Sequence, residues 1–230
     1  MFPQNGPSAQ TGAWPTIGGV TVKAVITDWG GVLTSPLDEA IEAWLAADRI
    51  DADRYLSVMR RWVRQAYDGD GRNPVHGLEE GTLDPAEFER LLAAELVTVD
   101  GGPVPAEGLL SRMFAAFAPV EAMYEAVRGV RAAGARTALL SNSWGNDYPR
   151  DQFAELFDAV VISCEVGMRK PDERIFRHAV DLLGLTPAEC VFIDDITHNV
   201  RAAEAVGMVA IHHREADETI AALRELGVLR

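Results

Sequence analysis

The stretch VKAVITDWGGVLTSP, Val22–Pro36, joins an apolar run to a single carboxylate. The run reaches Asp28, and Trp29, Gly30 and Gly31 follow directly. A nearly continuous apolar run is typical of a parallel-sheet strand that is covered on both faces. A buried, unpaired carboxylate at the end of such a strand would be strongly destabilising because it loses its hydration. We therefore expect another group of the chain to compensate the charge of Asp28.

The composition favours a globular protein that binds a small ligand. The chain has 230 residues, of which 48% are hydrophobic, and this suits one sizeable core or a core with an inserted subdomain. A net charge of −14 argues against nucleic acid or an anionic membrane as a partner. No stretch approaches the roughly 20 apolar residues that span a bilayer, and residues 1–19 lack the features of a signal peptide. We expect a cytoplasmic protein in which residues 1–19 form a disordered tail.

The two cysteines support the same compartment. Cys164 and Cys190 lie in or beside apolar runs and are far apart in the sequence. This placement fits reduced, buried side chains better than a disulfide.

Short apolar runs alternate with amphipathic helical patterns through most of the chain. This alternation predicts an α/β fold with a doubly wound, Rossmann-like parallel sheet and right-handed crossovers. Four glycines each follow a helical pattern where a left-handed residue is expected: Gly134, Gly184, Gly207 and Gly227. The predicted strands are Val22–Asp28, Arg136–Ser141, Ala159–Ser163, Val191–Asp194 and Met208–His212. The predicted helices are Val120–Ala133, Gln152–Phe157, Glu173–Leu183, Asn199–Val206 and Glu218–Leu226.

Residues 35–118 do not follow this alternation. Their sequence has the periodicity of helices, which is interrupted at GDGRNPVHG (69–77) and DGGPVP (100–105). A helical insertion of this length in an α/β chain predicts a separate α-helical cap domain. The predicted core then comprises residues 20–34 and 119–230, with hinges near Pro36 and Pro119.

Polar residues cluster where the predicted strands end. Ligands of open parallel sheets bind at the carboxyl ends of the strands, so these side chains should meet at one edge. A divalent metal or an ammonium group at that edge would compensate the charge of Asp28. The residues concerned are Asp28, Ser141, Asn142, Ser163, Asp194 and Asp195, together with Lys170 in the segment GMRKPD.

Four segments resemble, in order, the motifs of the haloacid dehalogenase-like hydrolase superfamily. They are DWGGVLT, LLSNSW, GMRKPD and VFIDDITHN, and the resemblance covers the chain from its first predicted strand to its last predicted helix. The resemblance is greatest to the branch that contains the N-terminal phosphatase domain of soluble epoxide hydrolase. It implies a doubly wound core, a helical cap and a Mg²⁺-dependent phosphatase acting on a small phosphorylated metabolite.

The resemblance also implies a role for each motif residue. Asp28 would attack phosphorus and form an aspartyl-phosphate. Ser141, Asn142 and Lys170 would bind the phosphoryl group, with Lys170 neutralising its charge. Mg²⁺ would be held by the Asp28 and Asp195 carboxylates and the Gly30 carbonyl. Asp194 would lie beside Asp195 and Asn199 would orient the loop, so that both hold the metal-binding and phosphate-binding residues in position.

Gly30 departs from the superfamily pattern. Most of its phosphatases carry there a second aspartate that protonates the leaving group and then activates water. Loss of a general acid/base typically slows a reaction by about 10²- to 10⁴-fold, unless another group takes its place. The backbone carbonyl that binds the metal is unaffected by this change.

Three interpretations follow from Gly30. The favoured one is a Mg²⁺-dependent phosphatase that makes up for Gly30 with a cap residue, with an ordered water, or with a substrate whose leaving group needs little protonation, such as an anomeric sugar phosphate or an acyl phosphate. The second is a metal-independent 2-haloacid dehalogenase, although the intact Asp194–Asp195 pair argues against it. The third is a non-catalytic protein that binds a phosphorylated metabolite. A helical cap can also pair two subunits, so a homodimer stays open.

Overall fold

The structure is a computed structural model that describes residues 16–17, 20–67, 73–145 and 148–230. The predicted tail, residues 1–19, lies outside the described residues except for Thr16–Ile17. That pair forms strand β1, which pairs antiparallel with β2, Val20–Thr21. No helix in the described ranges combines the length and apolar character that crossing a bilayer requires.

The core of the protein is a five-stranded parallel sheet, as predicted. Its strands lie in the order β5–β4–β3–β6–β7, and all neighbouring pairs are parallel. The chain therefore winds outward from the central strand β3 in both directions, which makes the carboxyl end of β3 a topological switch point. The strands are β3 (Ala24–Thr27), β4 (Arg136–Ser141), β5 (Ala159–Ile162), β6 (Cys190–Asp194) and β7 (Val209–His212).

The described residues of the insertion that follows β3 form five helices. They share an apolar cluster of their own, in which Trp44, Trp62, Phe88 and Leu109 are buried. Whether this unit is a separate cap domain stays an interpretation of the sequence. The helices are α1 (Leu37–Ala47), α2 (Ala52–Tyr67), α3 (Pro74–Glu79), α4 (Pro85–Glu95) and α5 (Leu109–Phe114).

Helix α3 begins inside the segment GDGRNPVHG, where the sequence indicated a break. The side chain of Asn73 accepts a hydrogen bond from the backbone N–H of Val75 at 2.9 Å. Pro74 occupies the first turn, where its missing N–H costs nothing. The prediction of a continuous interruption was therefore wrong from Pro74 onward, because these residues form a helix start.

The two chain segments that connect the insertion to the core run side by side. Thr34 and Pro119 form an antiparallel bridge. The N–H of Ser35 donates to the carbonyl of Ala118 at 2.7 Å, and the N–H of Val120 donates to the carbonyl of Leu33 at 2.9 Å. The insertion thus leaves and re-enters the core next to the carboxyl end of β3.

Helices cover both faces of the sheet, which confirms the predicted α/β class. One apolar cluster includes Met123, Phe153 and Leu223, and the other includes Ile175 and Ala203. The four glycines predicted to end helices all have positive φ, and Cys164 and Cys190 are both free thiols. The helices are α6 (Glu121–Ala132), α7 (Arg150–Leu156), α8 (Ser163–Val166), α9 (Glu173–Leu183), α10 (Thr197–Val206) and α11 (Ala216–Glu225).

Candidate active site

Strands β3 and β6 bring the predicted acidic residues together at the switch point. Asp28 is one residue beyond β3, and its N–H still donates to the Ile193 carbonyl of β6 at 2.9 Å. Asp194 ends β6 and is fully buried, whereas Asp195 is half-buried. One carboxylate oxygen from each of Asp28, Asp194 and Asp195 lies within 4.8 Å of the other two. The apolar run of β3 thus ends in a cluster of negative charge.

Lys170 supplies the compensating charge that the sequence required. Its ammonium Nζ lies 2.9 Å from Oδ2 of Asp28 and 2.7 Å from Oδ2 of Asp194. The side chain is completely buried. Asn142 holds the backbone of Lys170 from both sides: its Nδ2 donates to the Lys170 carbonyl at 3.1 Å, and its Oδ1 accepts from the Lys170 N–H at 2.9 Å. The strand that ends in Ser141 therefore positions this lysine.

The carboxyl groups of this cluster are poorly compensated without a further cation. Burial raises the pKa of Asp28 to about 8, with Lys170 lowering it and the two other aspartates raising it. Burial also raises the pKa of Asp195 to about 6, and the Asp194 charge adds to the effect. Burial alone would lower the pKa of Lys170, but the Asp194 and Asp28 carboxylates hold it above its ordinary value. Three carboxylates thus face one ammonium group.

The donor set at this point fits a divalent cation. Asp194 is already used by other groups: its oxygens accept hydrogen bonds from Lys170, from the Ile196 N–H at 2.8 Å and from Asn199 Nδ2 at 3.0 and 3.1 Å. Asp28 and Asp195 both line the open cleft, together with Gly30. Two carboxylates and a backbone carbonyl are the oxygen donors that a hard cation such as Mg²⁺ takes.

Ser141 lies at the same edge of the sheet. Its Oγ is 2.9 Å from the hydroxyl of Tyr148, so one of these groups donates to the other. Ser141, Asn142 and Asn199 all line the cleft that holds Asp28. All eight residues predicted for the site therefore meet around this cleft. Seven of them line it, and the eighth, Asp194, contacts Lys170 beneath it. The seven are Asp28, Gly30, Ser141, Asn142, Lys170, Asp195 and Asn199.

Sequence reasoning missed one charged residue of this cleft, Glu79 on α3. Its Oε2 is 2.5 Å from Arg169 Nε, and its Oε1 accepts a hydrogen bond from Trp144 Nε1 at 3.1 Å. Glu79 is buried and lines the same cleft as Asp28. Its partners lie 65 and 90 residues away along the chain, so no local pattern could have indicated the contact.

Comparison with known proteins agrees with this geometry. The sequence pattern of the family described as haloacid dehalogenase-like hydrolase matches residues 22–207. A solved structure of a HAD family enzyme from Bacteroides thetaiotaomicron, in complex with magnesium and inorganic phosphate, has a similar fold. Its TM-score is 0.60 at 21% identity, over 84% of this chain and 94% of that one.

Three curated proteins are also similar in sequence. Acyl-CoA dehydrogenase family member 10 of Mus musculus is 30% identical over 94% of this chain and 20% of its own length. Bifunctional epoxide hydrolase 2 of Rattus norvegicus is 35% identical over 51% of this chain and 22% of its own length. Sesquiterpene phosphatase astK of Aspergillus oryzae is 29% identical over 64% of this chain and 76% of its own length.

The chain spans about a fifth of the length of the first two of these relatives. The match to epoxide hydrolase 2 confirms the branch that the four motifs indicated. With a parallel sheet, a charged switch point and a family pattern that extends from β3 to the end of α10, the chain belongs to the haloacid dehalogenase-like hydrolases.

Proposed function

We propose that this hydrolase is a Mg²⁺-dependent phosphatase that hydrolyses a small phosphorylated metabolite through an aspartyl-phosphate on Asp28. The observation that carries the proposal is the contact of one buried ammonium, Lys170, with both Asp28 and Asp194 at the switch point. Such a group binds an anion next to a carboxylate nucleophile. The similarity to a protein named as a phosphatase supports the same chemistry.

Asp28 is the nucleophile of the proposed reaction. Its carboxylate attacks phosphorus, the bond from phosphorus to the leaving oxygen breaks, and the phosphoryl group stays on Asp28 until water displaces it. Lys170 lowers the pKa of the Asp28 carboxyl, against the effect of burial, and attracts the phosphoryl oxygens. Ser141 contributes a hydroxyl to the same oxygens from the end of β4.

The metal site of the proposal comprises the Asp28 and Asp195 carboxylates and the Gly30 carbonyl. Mg²⁺ bound there would neutralise charge on the phosphoryl group and orient it for in-line displacement. Asp194 fixes Lys170 in place, and Asn199 donates to both oxygens of Asp194. This support keeps the ammonium in reach of Asp28.

We further propose that residues 35–118 act as the cap of this enzyme. Glu79 of α3 and Phe114 of α5 line the cleft above Asp28, so the insertion forms one of its walls. The ion pair of Glu79 with Arg169 joins that wall to the residue before Lys170. A cap in this position excludes water from the phosphoryl group and contacts the leaving group.

The second candidate is a protein that binds a phosphorylated metabolite without hydrolysing it. Gly30 favours this reading, because no carboxylate stands at that position to protonate a leaving group.

Phosphate release from acetyl phosphate and p-nitrophenyl phosphate separates the two candidates. Each substrate is tested with Mg²⁺ and with EDTA, and Asp28→Asn is the control variant. We expect turnover that requires both Mg²⁺ and Asp28. The melting temperature of Asp28→Asn should equal or exceed that of the wild type, because the change removes one charge from an acidic cluster.

Absence of turnover on both substrates by a folded protein would favour the binding protein. Halide release from 2-haloacids in EDTA, without phosphate release from either phosphate substrate, would point to the dehalogenase.

A further inference from the structure

The cleft above Asp28 has an apolar wall, although its floor is charged. Core loops and helices of the insertion both contribute to the wall, and two of the side chains are exposed large hydrophobics at its rim. Leu37 is 37% exposed and Ile196 is 44% exposed. Exposed apolar side chains that border a charged site mark a surface that a ligand covers. The other members of the wall are Trp29, Met113, Phe114, Phe117 and Trp144.

Two charged groups of this lining, Lys170 and Glu79, are already engaged. Among the described residues that line the cleft, Lys170 is the only cation, and its ammonium binds Asp28 and Asp194. Glu79 is held by Arg169 and Trp144. The described part of the lining therefore offers no free cationic group for a second phosphate, as a nucleotide would need, and no set of side chains suited to the hydroxyls of a sugar. An apolar leaving group needs neither.

A polar groove adjoins the cleft on the side of Arg169. His76, Arg169 and His198 line it, and it shares Glu79 and Lys170 with the apolar cleft. A hydrophilic leaving group would lie in this groove. The apolar cleft predicts a preference for substrates with an apolar leaving group, whereas the polar groove predicts a preference for a hydrophilic one. Substrates that differ only in the polarity of the leaving group distinguish the two.

Gly30 constrains the chemistry of the leaving group independently of the wall. A Cβ built at Gly30 meets no atom within 4 Å, so the space beside Asp28 is open. Glycine has no proton to donate to a departing oxygen. Unless another group supplies the proton, a leaving group departs as an anion, which a phenol-type oxygen does readily and an alkyl alcohol does not.

We infer that the site, if it has the phosphatase activity proposed above, hydrolyses aryl phosphates, with the aromatic ring against the apolar wall. A bond forms between a carboxylate oxygen of Asp28 and phosphorus while the bond from phosphorus to the aryl oxygen breaks. The electron pair leaves with the aryloxide, which takes a proton from solvent. Water then attacks phosphorus, Asp28 leaves as a carboxylate, and the proton of that water passes to solvent.

Two matched substrate pairs test the two halves of the inference, with kcat/KM as the readout. Phenyl and benzyl phosphate have the same ring but differ in the acidity of the alcohol. We expect phenyl phosphate to be better by at least about 100-fold. Butyl and glycerol phosphate have alcohols of similar acidity but differ in polarity. We expect butyl phosphate to be better by at least about tenfold, because several methylenes are buried in place of hydroxyls.

A pair of surface variants tests the wall itself. Leu37→Ser removes an apolar side chain from the rim and should lower the ratio of phenyl phosphate to acetyl phosphate turnover by about threefold or more. Leu182→Ser is the matched control, because Leu182 is 53% exposed on α9 and does not line the cleft. It should change neither rate. Equal effects of the two variants would overturn the placement of the ring.

The outcomes separate this inference from the proposed function. Turnover of acetyl phosphate combined with equal rates on phenyl and benzyl phosphate, or with a preference for glycerol phosphate, overturns the inference and leaves the phosphatase standing. If no substrate is turned over, calorimetry with phenylphosphonate and methylphosphonate tests the cleft directly in the presence of Mg²⁺. Phenylphosphonate should bind at least about tenfold more tightly, and equal affinities would overturn the apolar wall as a ring site.

Discussion

A Cβ placed on Gly31 would lie 2.3 Å from Oδ2 of Asp195, which is far inside van der Waals contact. Gly31 has a φ of +71°, so its backbone is also in the left-handed region. The loop that follows β3 therefore lies directly against the acidic residue that follows β6. The second glycine of DWGGVL is explained by this contact, whereas the first is not.

Gly31→Ala should displace Asp195 and lower both turnover and Mg²⁺ affinity. Gly101→Ala is the matched control: its φ is +78°, and a Cβ there meets nothing within 4 Å. Both variants incur the left-handed penalty of about 1–2 kcal/mol, but only Gly31→Ala adds a clash. The measurements are urea unfolding and Mg²⁺ titration by calorimetry. Equal Mg²⁺ affinity in the two variants would contradict the contact.

Gly30→Asp should restore a proton donor without disturbing the fold, because the position is open and its φ is not positive. We expect the rate on benzyl phosphate to rise by at least about tenfold and the advantage of phenyl phosphate to shrink. Gly30→Asn has nearly the same shape but cannot transfer the proton, so it serves as the control. Similar rates in the two variants would show that proton donation does not limit turnover.

Lys170→Met should destabilise the protein by about 3–5 kcal/mol, because it leaves Asp28 and Asp194 buried without their cation. Adding Asp194→Asn should restore part of that loss, since one of the uncompensated charges is then removed. Urea unfolding in EDTA measures both. A loss below about 1 kcal/mol would indicate that the carboxylates are compensated in another way.

The raised pKa values of Asp28 and Asp195 predict how stability in EDTA depends on pH. Both carboxyls hold their protons in the folded state to a higher pH than an aspartate in the unfolded chain does, because burial raises their pKa values to about 8 and about 6. Between the pKa of the unfolded chain and that of the folded state, the folded state binds more protons than the unfolded state, so stability falls as pH rises. The melting temperature in EDTA should therefore decrease from pH 5 to pH 8.

Asp195→Asn separates this effect from other titrating groups, because its melting temperature should change less over the lower part of the range. Mg²⁺ should stabilise the wild type more at pH 8 than at pH 5, since protons compete with the cation for the carboxylates. Parallel pH profiles for wild type and variant would contradict the assignment.

The ion pair of Glu79 with Arg169 should couple the insertion to the core in solution. A double-mutant cycle with Glu79→Gln and Arg169→Gln should give a coupling free energy of at least about 0.5 kcal/mol, because both side chains are largely buried. The exposed pair of Arg49 and Asp100 is the comparison, and its coupling should be near zero. Similar values for the two pairs would show that the insertion does not rest on the core as the structure has it.

Much of the core could be read from local pattern. The predicted strand Arg136–Ser141 and helix Glu173–Leu183 match the structure residue for residue. Apolar runs and helical periodicity report burial within a few residues, and a glycine after a helix reports its end. One exception was α3, where the residues around Asn73 resemble a loop but form a helix cap. Turns and helix caps favour the same residue types, so the sequence alone did not distinguish a turn from a helix cap here.

The site likewise has features that could be predicted from the sequence and features that could not. The acids at the ends of β3 and β6 and the lysine between them were predictable, because parallel strands align their carboxyl ends and unlike charges must meet there. The apolar wall, the Glu79–Arg169 pair and the contact of Gly31 with Asp195 were not. Each depends on how segments distant in the chain dock against one another. Local sequence specifies which face of an element is buried, but docking decides which partner covers it, since many apolar and charged surfaces can satisfy the same short-range pattern.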